Sequence, residues 1–179
     1  MKRLITILLA ITISICCFAE WKEGDIVFQI SKSKQSPFIQ LATKSLYSHC
    51  GIVVKKNNQF YVLEASNVVK LTPLNKWINK GRFGHCRVYT VFDKPIKIHY
   101  NQYLGQRYDT SFKFNNGKMY CSELVYDIYL KQFGIQLCKP RKVSEYGIAG
   151  LNKLLKKRGI SKTQLVVAPS DLIKSKYLH

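Results

Sequence analysis

The chain has 179 residues, 29 of them Lys or Arg against 10 Asp or Glu, for a formal charge of +19. That length allows one domain with a real core and excludes two comfortable ones. The charge favours anionic partners and steers them at long range, but it says nothing about the fold.

The first residues, "MKRLITILLAITISICCFAE", place Lys2 and Arg3 before an apolar run from Leu4 to Phe18 and a small residue at Ala19. A basic head, a run short for a bilayer span and a small-residue cleavage site are the layout of a secretory signal peptide. Residues 1–19 are therefore read as a signal peptide cleaved near Ala19, and 20–179 as one exported domain, periplasmic or secreted. Losing Lys2 and Arg3 lowers the charge from +19 to +17. Export and the lack of a recognisable binding module argue against a nucleic-acid partner. An anionic membrane or cell-wall surface fits better. No second apolar run, internal repeat or low-complexity linker follows.

"EWKEGDIVFQIS" alternates as a short strand over Asp25–Ile30. Ser36 and Pro37 start a helix, Ser as cap and Pro at its first position. "SHCGIVVKKNNQFYVLEAS" reads as a β-hairpin with an Asn57-Asn58 turn. "RFGHCRVYTVF" is another strand. Helical spacing runs from Pro95 to Gly105, and again from Cys121 to Phe133 with Gly134 as its stop. "IAGLNKLLKKRG" is a short basic helix, and "TQLVVA" a late strand before Pro169. The content is α+β, with helices packed on an antiparallel sheet.

Four cysteines follow the signal segment: Cys50, Cys86, Cys121 and Cys138. Export permits disulfides, but if Cys121 is a working thiol the other three form at most one bridge. Cys121 stands at a helix start, where unpaired N–H groups and the helix dipole favour a thiolate. The bland alternative is an inert core cysteine. Glu123, about 200° round the helix from Cys121, cannot share its face and complements the helix N-terminus instead. No two-by-two ligand spacing suggests zinc, and no cofactor is expected.

A cysteine hydrolase needs a base beside the thiol and a group to orient that base. With Asn57-Asn58 as the turn, Gly51 faces Glu64 and His49 faces Ser66. Paired residues share a sheet face, so His49 and Glu64 become diagonal neighbours on one face, roughly 7–8 Å apart at Cα. Glu64 then holds one imidazole nitrogen and leaves the other to the thiol. By the same alternation Cys50 lies on the opposite face. His85 has no carboxylate in a comparable relation, His99 sits in a basic, solvent-facing stretch, and His179 is a terminal residue expected to be mobile. The alternative for Glu64 is a carboxylate balancing Lys55 or Lys56.

"GDIVFQIS", "SHCGIVV", "YVLEAS", "LGQRYD" and "YCSELVYDIY" resemble, in that order, the YiiX-type permuted papain-like enzymes of the NlpC/P60 superfamily. The resemblance runs from about Gly24 to Leu130, with a weaker likeness in "QLVVAPSDL". It implies a circularly permuted papain-like fold with Cys121 as nucleophile, His49 as general base and Glu64 as its orienter. His49 precedes Cys121, the order of the permuted branch. Tyr108 resembles the tyrosine lining the site in that superfamily, where a phenol donates to a developing oxyanion; the alternative is a packed aromatic. The implied activity is cleavage of an amide in an envelope substrate through an acyl-thiol. Alternatives are acyl hydrolysis or transfer on lipids, or a non-catalytic module binding anionic envelope surfaces.

Overall fold

The computed structural model describes residues 21–179, so segment 1–19, read above as a signal peptide, lies outside the described residues. The main sheet has the order β4-β3-β2-β1-β5. Its strands are β1 (Ile26–Ser31), β2 (His49–Lys56), β3 (Gln59–Ala65), β4 (Val69–Pro73) and β5 (Gly81–Tyr89), all antiparallel neighbours. Helices α1 (Ser36–Thr43), α2 (Leu74–Lys80), α3 (Cys121–Phe133), α4 (Asn152–Lys157) and α5 (Pro169–Leu172) surround it. A two-stranded sheet joins β6 (Arg141–Lys142) to β7 (Leu165–Val166). The chain is thus α+β, as read from its sequence.

Strand alternation divides the core. Ile26 and Phe28 of β1, Cys50, Ile52 and Val54 of β2, and Leu63 and Ala65 of β3 bury against Leu124, Val125 and Ile128 of α3. Val27, Val53 and Val62 point the other way, onto Leu74 and Trp77 of α2. Residues of opposite parity therefore meet different helices. The two-residue turn is as expected: Asn57 and Asn58 adopt φ 48° and 61°. Both values suit a type I′ turn, whose twist matches the flanking strands. The pairing runs from Lys56 opposite Gln59 to Ile52 opposite Leu63.

Helix α3 ends as its sequence indicates, with Gly134 in the left-handed region at φ 68°. At its start, Tyr120 is extended and its N–H donates to Glu123 at 3.4 Å. Ser122 Oγ donates to the Val167 carbonyl at 2.7 Å, and the Val167 N–H donates to the Tyr120 hydroxyl at 3.2 Å. The residues on both sides of Cys121 are thus fastened to the C-terminal segment.

Four expectations differ from the structure. The stretch from Pro95 to Gly105 is no helix beyond a 3-10 turn at Asn101–Tyr103. Its amides bond elsewhere: Ile96 N–H to the Glu23 carbonyl at 3.0 Å, Ile98 N–H to the Glu23 carboxylate at 3.2 Å and His99 N–H to Gln132 Oε1 at 3.0 Å. Ser36 lies inside α1, and its hydroxyl bonds Ser48 Oγ at 2.5 Å without capping the helix. The late strand shrinks to Leu165–Val166. His179 is not loose, because its backbone exchanges two hydrogen bonds with Thr90, at 3.0 and 3.1 Å. Strand β4 and helix α2, which the pattern did not indicate, meet at Pro73, whose missing N–H and fixed φ suit a strand-to-helix junction.

Candidate active site

Glu64 lies on β3 with the parity of Val62, so its carboxylate enters the α2 side of the sheet and is almost fully buried. A buried carboxylate must have its lone pairs filled or give up its charge. Here they are filled. Oε2 faces His49 Nε2 at 2.6 Å and accepts from Trp77 Nε1 at 3.2 Å. Oε1 accepts from Thr72 Oγ1 at 2.6 Å, and Lys80 Nζ stands 3.6 Å away. Lys80, not Lys55 or Lys56, is therefore the lysine that approaches it. Burial alone would raise the Glu64 pKa, but the His49 bond, the imidazolium charge and Thr72 outweigh burial and bring it to about 2.

His49 opens β2, so its ring stands at the strand's end and reaches past the sheet. Its side chain is 13% exposed and stacks on Trp77 at 6.0 Å between ring centres. With Nε2 held by Glu64, Nδ1 is the nitrogen left to face the Cys121 thiol. Burial opposes charging of the imidazole, yet the bonds to Cys121 and Glu64 raise its pKa to about 10.

Cys121 is the first residue of α3 and is 2% exposed. Hydrogen bonds from the Cys50 thiol, from His49 and from the Cys50 amide draw its pKa well below the ordinary thiol range, against the effect of burial. Thiolate and imidazolium are thereby stabilised together, as a nucleophile–base pair requires. All four described cysteines are free thiols.

Tyr108 lines the polar side of the site with Gln29, Ser48, His49, Glu64 and Lys80, around a cleft of about 410 Å³. Its N–H donates to the Asn67 carbonyl at 3.0 Å, which fixes its loop against the β3–β4 connection. Burial, then the nearby Cys121 charge, pushes its pKa well up, so the phenol stays a donor. Cys121 also borders a second, apolar pocket of about 80 Å³, lined by Phe38, Phe112, Val143, Leu155 and Ile160 among others. That volume holds roughly five to eight water-sized groups.

The structure brings Cys121, His49, Glu64 and Tyr108 together and leaves the other histidines out. His85 and His99 are exposed, and His179 pairs with Asp93 at 3.4 Å. Sequence reasoning missed Thr72, Trp77 and Cys50 as neighbours of the site. Thr72 could have been found by extending the register to β4, where Lys70 opposes Glu64 and Thr72 opposes Val62 on the same face. Trp77 carried no such signal, because a helix supplies it. Glu123 lies beneath the helix start with a pKa raised to about 8, chiefly by burial.

Residues 20–179 match a family model described as permuted papain-like amidase enzyme, YaeF/YiiX, C92 family. The chain belongs to this family. It is 38% identical to the uncharacterized protein YiiX of Escherichia coli K12 over 153 residues, covering 80% of this chain and 75% of that one. The crystal structure of YiiX from Escherichia coli O157:H7 superposes with a TM-score of 0.78 at 36% identity, covering 88% of this chain and 94% of that one. The fold is therefore the permuted papain-like one that the motif order implied. YiiX is described there as a metalloprotein. Among the described residues of this chain, no group of three or more His, Cys, Asp or Glu side chains could hold a metal ion. His49 also has its Nε2 held by Glu64 at 2.6 Å and its ring beside the Cys121 thiol, so these residues do not fit one.

Proposed function

We propose that the protein is an exported cysteine amidase or peptidase that cleaves an amide bond in an envelope substrate through an acyl-thiol intermediate. Membership of the C92 amidase family supports hydrolase chemistry. The single observation that carries the reading is a His49 ring beside the Cys121 thiol with its Nε2 held by Glu64 at 2.6 Å. In this reading the Cys121 thiolate attacks the carbonyl carbon. The Cys121 backbone N–H, free at a helix start, and the Tyr108 phenol stabilise the oxyanion. His49 gives its proton to the amine as the C–N bond breaks, then takes one from water as that water attacks the thioester; the C–S bond breaks, the Cys121 thiolate is restored and the carboxylic acid departs. Glu64 holds the ring and its charge throughout.

The test is incubation of residues 20–179 with N-acyl amino acids and peptides, followed by intact-mass analysis of the protein. An acyl adduct on Cys121 that decays with release of acid is the expected result. Turnover that survives Cys121→Ala would refute the reading.

A second reading, acyl hydrolysis or transfer on lipids, is favoured by one observation, the apolar pocket beside Cys121. It predicts that ester and amide lipids are turned over faster than peptides with polar acyl groups. Export rests on the layout of residues 1–19, and a periplasmic fraction holding a shorter chain beginning near residue 20 is its direct check.

A further inference from the structure

Cys50 takes no step in the hydrolytic scheme, yet it touches the nucleophile. It sits on β2 next to His49 but points to the other face of the sheet, into the core cluster that contains Cys121. Both side chains pack in that one buried cluster, Cys50 from the α3-facing side of β2 and Cys121 from the first turn of α3, and the Cys50 thiol and N–H are among the neighbours that lower the Cys121 pKa. The two thiols are thus neighbours contributed by different elements, the first turn of α3 and the start of β2. Cys50 is fully buried, and Cys121 borders the apolar pocket, through which a small uncharged molecule can approach it.

We infer that Cys121 and Cys50 form a reversible oxidation site, in which hydroperoxides convert the pair to a disulfide that blocks the nucleophile. The Cys121 thiolate attacks one peroxide oxygen; the O–O bond breaks, and the sulfur becomes a sulfenic acid while hydroxide leaves and is protonated to water, or an alcohol leaves from an organic peroxide. The Cys50 sulfur then attacks the Cys121 sulfur. The S–S bond forms, the S–O bond breaks, and hydroxide departs with the Cys50 proton as water. Two thiols are oxidised by two electrons and one peroxide is reduced.

The chemical asymmetry suits this order. Cys121 is held toward thiolate, the form that peroxide oxidises, whereas burial keeps Cys50 protonated. Cys138 is the competitor: it packs at the edge of the same core cluster and lies near Cys50. It is not among the groups that shift the Cys121 thiol, so it is the alternative pairing to exclude.

The test treats the purified chain with increasing hydrogen peroxide, caps remaining thiols with N-ethylmaleimide, and maps peptides by mass without reduction. The expected product is a peptide pair linked between Cys50 and Cys121, with loss of both thiols in parallel and full return after dithiothreitol. In Cys50→Ser, checked for folding by its melting curve, the same treatment should carry Cys121 to sulfinic and sulfonic acids that dithiothreitol does not reverse. Should that variant fail to fold, the wild-type map decides alone. The proposal is overturned if wild-type Cys121 passes to those acids while Cys50 remains a thiol, if both thiols survive peroxide, or if Cys50 is found bridged to Cys138. Because the readout is thiol state, it is independent of whether any amide is cleaved.

Discussion

Replacing Glu64 by Gln keeps the side chain's shape and removes its charge. The Gln oxygen can still accept from His49 and Trp77, with its amide nitrogen turned to the Thr72 hydroxyl, but it carries no charge. The imidazolium loses the carboxylate that stabilises it, and the thiolate–imidazolium pair loses its support. The structural magnitude follows from Glu64, whose pKa falls from 4.5 to about 2. At 1.36 kcal/mol per unit that is ~3 kcal/mol, counted once for the pair. Lys80 adds little, since its side chain is 54% exposed and its charge is screened. A loss of ~3 kcal/mol from the reactive ion pair corresponds to roughly 10²-fold in rate. The assay is alkylation of Cys121 by iodoacetamide across pH, which needs no substrate. Wild type should react from well below the ordinary thiol range, and Glu64→Gln should show its inflection displaced upward with reactivity near pH 7 down roughly 10²-fold. The same pair sets the stability profile. The folded pKa of Glu64 is depressed, so its contribution is present above 4.5 and is lost as pH falls toward about 2. The folded pKa of His49 is raised, so its contribution is complete below 6.5 and is lost as pH rises through about 10. A Glu64→Gln protein that is folded, yet has the wild-type alkylation profile and the wild-type acid and alkaline limbs, would refute the coupling.

Tyr108→Phe should leave Cys121 alkylation unchanged while lowering kcat on an amide by roughly 10²–10³-fold, as loss of one oxyanion donor does; a parallel fall in alkylation would make Tyr108 a packing residue. Thr72→Val removes one donor to Glu64 and should cost about 1–3 kcal/mol in chemical denaturation, with a smaller upward shift of the alkylation profile than Glu64→Gln. His85→Ala should change neither alkylation nor turnover, since the ring is exposed and takes no part in the hydrogen bonds around Glu64. The basic C-terminal third gives the last expectation. Arg141 is engaged by Glu145, Asp171 and Tyr146, and Arg158 stacks on Phe38, which leaves Lys139, Lys142, Lys153, Lys156 and Lys157 exposed. Binding to anionic vesicles or cell-wall fragments should weaken as salt shortens the Debye length below ~10 Å, while turnover of a small soluble amide barely changes. Equal binding to neutral vesicles would reduce these lysines to solvated surface.

By itself the sequence determined whatever depends on short-range geometry. The Asn57-Asn58 turn sets the β2–β3 register because two residues with positive φ permit only one pairing, and strand alternation then puts His49 and Glu64 on one face. Helix α3 was legible from end to end because its apolar stripe and Gly134 stop are local signals. The stretch after Pro95 misled for the opposite reason: its apolar spacing is helical, but its amides are claimed by Glu23 and Gln132, distant in sequence, which no local pattern registers. Only the tertiary structure decided how the two halves of the site meet. Glu64 and Cys121 belong to opposite faces of the sheet, and they communicate because His49 stands at the strand's end, where its ring can touch both. Trp77 and Thr72 became partners of Glu64 through the packing of α2 and the addition of β4, and Cys50 reached Cys121 through the core. These are long-range contacts, set by how elements stack once their apolar faces are buried, and they decide which charges survive burial.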